Sequence, residues 1–151
     1  MTNTQKREEI KKVIMLFANY NKIKAQIGEM AEFDDILSLQ FKGILDDLGN
    51  RIQTGSLSNS VESIVLKREG RDELILVKII LDRAILIASS YARIKERKRY
   101  QTMLRQNLID RVPREYLDMP ISSSTLAKYR EIAIEYARVA LNWAGLINEV
   151  L

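Results

Sequence analysis

The chain has 151 residues, of which 46% are hydrophobic and 29% charged, with six Gly, two Pro and neither Cys nor His. That composition suits a globular helical chain and argues against collagen, disorder or a turn-rich β design. Without thiols or imidazoles there are no disulfides, no Cys- or His-based zinc sites and few catalytic templates, so no enzymatic role, cofactor or metal is assigned. The 24 basic residues against 20 acidic ones are unevenly spread. Residues 1–59 hold eight of each sign, residues 60–92 five of each, and residues 93–151 eleven basic against seven acidic. A field is felt over only about 8 Å at physiological salt, so charge gathered in one segment matters more to a polyanion than net charge does. Nucleic acid is the expected partner. Residues 1–12 are polar and mixed in charge, and no window approaches ~18 uncharged apolar residues, which predicts a cytoplasmic protein with no membrane partner.

In chain order, Ile10, Val13, Ile14, Phe17 and Ile27 fall at helical spacing and predict an amphipathic helix over residues 4–30. Phe33, Ile36, Leu37, Phe41, Ile44, Leu45 and Leu48 predict a second helix, stopped by Gly49 and Asn50. The acid pairs Asp34-Asp35 and Asp46-Asp47 flank that helix, too far apart to converge on one acid/base or metal site, and are read as solvated or capping groups. Residues 54–60, rich in Ser, Thr, Asn and Gly, read as a linker. The chain therefore divides into a helical region, 1–55, and a module, 56–151.

Residues 61–67 suit either a strand or a helix start. Leu74, Val77, Leu81, Ala84, Ile85 and Ala88 mark a long helix over 72–91, the expected spine of the core. Helix continues over 95–107 with Tyr100, Met103, Leu104 and Leu108 on one side and Arg93, Lys95, Arg97, Lys98 and Arg99 exposed to solvent or phosphate. The last helix carries two sevenfold series, Leu126, Ala133, Ala140, Ile147 and Tyr129, Tyr136, Trp143, Val150. They predict an apolar seam of about seven turns, closed by the protein's own helices or by a second subunit, and not a base-stacking platform. The fold expected is an all-α bundle with a long final helix.

The most informative stretch is 111–130. Pro113 is tolerated in a first helical turn, so a short helix is expected over 112–117. Pro120 forbids its continuation, Ile121 can plug the gap between helices, and Ser122 has the hydroxyl that caps a new helix. The result is a helix-turn-helix whose second helix offers its amino-terminal turns to a major groove. Ser123, Ser124, Thr125 and Lys128 are the expected base-reading residues. Arg97, Lys98, Arg99, Arg111, Arg114 and Arg130 are the expected phosphate-binding ones, which set register and not sequence choice.

The segment Ile121-Ser-Ser-Ser-Thr-Leu-Ala-Lys-Tyr-Arg130, followed by Glu131-Ile-Ala-Ile134, resembles the recognition helix of phage late-gene transcriptional regulators of the ArpU/RinA type. The carboxy-terminal module of that group is similar to region 4 of sigma factors. Ser58-Asn-Ser-Val-Glu-Ser-Ile-Val-Leu66, a long helix and a Tyr-containing helix around residues 99–104 extend the likeness over roughly residues 58–141. Relatives often carry a basic residue where Ser124 stands and a smaller one among Glu115, Tyr116 and Leu117. The resemblance implies sequence-specific binding of double-stranded DNA in a bacterial host, activation of phage or prophage packaging and lysis genes, and contact with host RNA polymerase. The alternatives are a small-terminase-like DNA-packaging adaptor, which would be a homo-oligomer, and a helical protein-binding inhibitor of a host regulator.

Overall fold

The computed structural model describes residues 2–28 and 56–147, the side chains of 56–69 and 71 apart. The predicted helix over 33–48, its Gly49-Asn50 end and both acid pairs lie outside the described residues.

Helix α1, Asn3–Ala18, starts with a reciprocal cap: Thr2 Oγ1 accepts the Gln5 N–H at 3.2 Å, and Gln5 Oε1 accepts the Thr2 N–H at 3.1 Å. The helix predicted as one piece breaks at Asn19 and resumes over residues 20–28 as α2. Asn19 keeps an N–H to Leu16 and Met15 but leaves the helical dihedrals. Val13, Leu16, Phe17, Tyr20 and Ile23 are buried on one side of this bent rod.

Helix α3, Ser56–Ser89, is 34 residues long, about 51 Å at 1.5 Å per residue. It absorbs residues 56–60, which were expected to be linker, and resolves 61–67 as helix. Ser and Asn disfavour only a helix interior, and in a first turn their hydroxyl and amide groups can satisfy free backbone donors. Val77, Leu81, Ala84, Ile85 and Ala88 are buried, so the spine read from spacing is the spine observed.

After a 3-10 turn at Ile94–Glu96 come α4, Arg97–Leu104, and one π turn, Arg105–Ile109. Helix α5, Ser123–Trp143, closes the bundle against α3 and also meets α1. The fold is all-α, with no strand among the described residues. Its core is one cluster to which α1, α2, α3, α4 and α5 all contribute.

The sevenfold seam is corrected in part: Leu126, Ala133 and Ile147 of the first series are buried and Ala140 half-buried, but the second series leaves the core, and its Val150 lies outside the described residues. A straight helix gains about 700° in seven residues, so a sevenfold series slips back by about 20° per repeat. Tyr129 is buried, Tyr136 half-buried and Trp143 89% exposed. From Leu126, Tyr129 and Ala133 the buried face of α5 passes to Ala137 and Leu141, at spacings nearer 3.6. The helix also ends at Trp143, short of seven turns. Gly145, at φ +69, reverses the chain there: its N–H bonds the Asn142 carbonyl at 3.0 Å, and the Leu146 N–H bonds the Leu141 carbonyl at 2.9 Å. Leu146 and Ile147 are thereby folded back into the core.

Two polar clusters tie the elements together. On α3, Asp82 accepts from Tyr20 of α2 at 2.7 Å, Lys78 at 3.0 Å and Arg105 of the π turn at 2.9 Å. Partial burial raises the Asp82 carboxyl, but its three donors outweigh this and hold it below the usual value. On α5, Arg138 is 9% exposed and bridges Glu135 and Glu9.

Candidate nucleic-acid interface

The chain between the π turn and α5 decides what α5 presents. Arg111 has φ 57, a conformation rare outside Gly, and it turns the chain sharply out of the π turn. Val112 is pinned on both sides: its N–H bonds the Gln106 carbonyl at 2.9 Å, and its carbonyl accepts from Asn107 Nδ2 at 2.9 Å. The short helix expected over 112–117 is corrected to a single 3-10 turn, Arg114–Tyr116. Both flanks are extended, Pro113 at ψ 153 and Leu117 at ψ 144, because Val112 is already committed and Leu117 is drawn into the core. Helix α5 packs against α3 and α1, and α4 reaches it through Tyr100, whose ring centroid lies 4.6 Å from that of Tyr129. Burial, then Tyr100 and Glu96, raises the Tyr129 phenol above its ordinary value and keeps it a neutral packing group.

Ser122 caps α5 as expected. Its backbone is extended, and its Oγ accepts the Thr125 N–H at 3.2 Å. The Ser122 hydroxyl donates to Thr125 Oγ1 at 2.8 Å, so Thr125 is held in the cap and is only half-exposed. Ile121 is half-buried under the turn. Beyond the cap, Ser123, Ser124, Ala127, Lys128 and Glu131 are exposed, while Leu126, Tyr129 and Ala133 on the other side are buried. The amino-terminal turns of α5 are thus open to solvent, with Lys128 free of partners among the described residues.

Around these turns the expected phosphate-binding residues separate into two groups. Lys98 and Arg99 are exposed and line an open cleft of about 420 Å³ whose other wall is Asp118 and Met119, three to four residues before the cap. Arg97 and Arg111 are exposed, although Arg97 also donates from Nε to the Ala92 carbonyl at 3.3 Å. Arg114 is exposed and holds the turn, donating to the Ile121 carbonyl at 3.1 Å. Arg130 behaves differently. It is half-buried, donates to the Asn107 side-chain carbonyl, and has its basicity lowered by desolvation. That bond joins α5 to the π turn.

Asn107 is the residue that sequence reading passed over. It receives Arg130 and braces Val112, so it fixes both the rod and the chain leading to it. No local pattern marks it, because one partner is 23 residues away. Arg138 had a visible signal, a charge set between Ala137 and Val139 in an apolar series.

Among the described residues no group of three or more Asp, Glu, Cys or His side chains could hold a metal ion, and no helix is long and apolar enough to cross a membrane. Compared with protein-family models, curated proteins and solved structures, the chain matches none of them.

Proposed function

We propose that the protein is a sequence-specific double-stranded DNA-binding regulator of transcription, with α5 as its reading helix. The observation that carries this reading is the serine-capped, solvent-open start of α5, where Ser123, Ser124 and Lys128 project from a rod whose opposite side is locked into the core. Short hydroxyl side chains let a helix approach base edges closely, and Lys128 can reach a guanine edge from the second turn. Thr125 serves as part of the cap, and Arg97, Lys98, Arg99, Arg111 and Arg114 supply the surrounding positive charge that attracts phosphate. Arg130 and Asn107 set the rod's angle from within. The resemblance to phage late-gene regulators extends the proposal to activation of phage or prophage genes with host RNA polymerase as partner.

The test is selection of genomic fragments by the purified protein. Enrichment of one or a few sites upstream of late genes supports the proposal. Uniform recovery of all fragments, or none at low salt, contradicts it.

A further inference from the structure

The outward face of α3 carries a pattern that DNA reading leaves unused. Asp72, Leu76, Ile79, Arg83 and Leu86 recur at alternating intervals of four and three, the spacing of a two-helix seam. All five are exposed, Leu76 at 41%, Ile79 at 42% and Leu86 at 50%. At 100° per residue this stripe lies about 150° around the helix from Val77, Leu81, Ala84 and Ala88, which face the core. It also lies clear of Lys78 and Asp82, where α2 and the π turn cover α3. Neither Asp72 nor Arg83 has an ion pair among the described residues.

We propose that this face joins two copies of the chain through an antiparallel α3–α3 contact about a two-fold axis. A second copy is chosen because the stripe is complementary to itself in charge. One register sets Leu76 against the partner subunit's Ile79 and, by symmetry, Ile79 against the partner subunit's Leu76. The same register sets Asp72 opposite the partner subunit's Arg83 at both ends of the contact. A parallel pairing would instead oppose Arg83 to Arg83 and Asp72 to Asp72, so the charges select the antiparallel arrangement. The apolar centre supplies the attraction, and the outer charges fix direction.

The test is measurement of molar mass by light scattering over a concentration series, with the full chain. The wild type is expected to approach twice 17.4 kDa. Arg83→Asp and Asp72→Arg each oppose like charges and should weaken self-association by about tenfold or more. The double variant Asp72→Arg/Arg83→Asp exchanges both charges and should regain the dimer. Circular dichroism of each variant separates lost pairing from lost folding. The proposal is overturned by a wild type that stays monomeric, which would leave the face to another occupant such as residues 29–55. It is overturned equally by a dimer that survives both single reversals, or by a helical double variant that stays monomeric.

Discussion

Arg138 Nη1 donates to Glu9 Oε2 at 3.1 Å, joining α5 to α1 across 129 residues of chain. Asn142 Nδ2 donates to the same carboxylate oxygen at 2.6 Å, and Arg138 grips Glu135 through Nε and Nη2 at 3.1 and 2.5 Å. The hydrogen bonds that Arg138 donates to Glu135, and then to Glu9, raise the guanidinium above its ordinary basicity despite its burial. A charge held this way is costly to orphan. Arg138→Ala should destabilise the fold by about 1–3 kcal/mol, because Glu9 keeps its desolvation without its main donor. Urea denaturation measures the loss, and Glu9→Gln should cost less because it leaves Arg138 its bond to Glu135.

Two glycines should respond in opposite senses to alanine. Gly70 lies inside α3 with open space where a Cβ would stand, so Gly70→Ala should stabilise by about 0.5–1 kcal/mol through helix propensity. Gly145 has equal space but φ +69, so Gly145→Ala should destabilise by about 1–2 kcal/mol and loosen Leu146 and Ile147. Thermal melts of the two variants check the contrast.

Asp82 predicts an acid limb. Its folded-state pKa lies below the ordinary 3.8, so its three donors contribute stability that is fully present above that value and lost as the pH falls through the lower one. Asp82→Asn should be less stable than wild type at neutral pH and should show a smaller loss below about pH 4. Denaturant midpoints across that range give the comparison.

At the proposed interface the roles of the cations should separate. Lys128→Ala should lose ~1–3 kcal/mol on a selected site and little on random duplex. Lys98→Ala/Arg99→Ala should weaken both alike and lower the salt slope by about two. Arg130→Ala should act mainly on stability, since its guanidinium is spent on Asn107. Fluorescence anisotropy with both duplexes, beside a thermal melt, tells these outcomes apart.

The parts of the fold that were legible in the sequence are those fixed by local periodicity. Val77, Leu81 and Ala84 declare the buried face of α3, and Ser122 declares the start of α5 through one hydroxyl and one turn of chain. The linker expected over 54–60 misled at 56–60, because Ser and Asn are poor helix residues only away from an end. Trp143 misled because sevenfold identity overstates burial once a straight helix has drifted. The bond from Arg130 to Asn107 was not legible, because Asn107 belongs to another element and such pairings leave no spacing to read. The open face of α5 was readable; the turn that aims it, set by Arg111, Val112 and Leu117, depends on contacts with the π turn and the core.

The most direct measurement is equilibrium binding of the full chain to duplex DNA by anisotropy across a salt series. The account predicts binding at low salt whose log–log dependence on salt is linear, at about −0.9 per phosphate neutralised, with a selected site held more tightly than random duplex at every salt. No binding at low salt, or equal affinity for all duplexes, would contradict it.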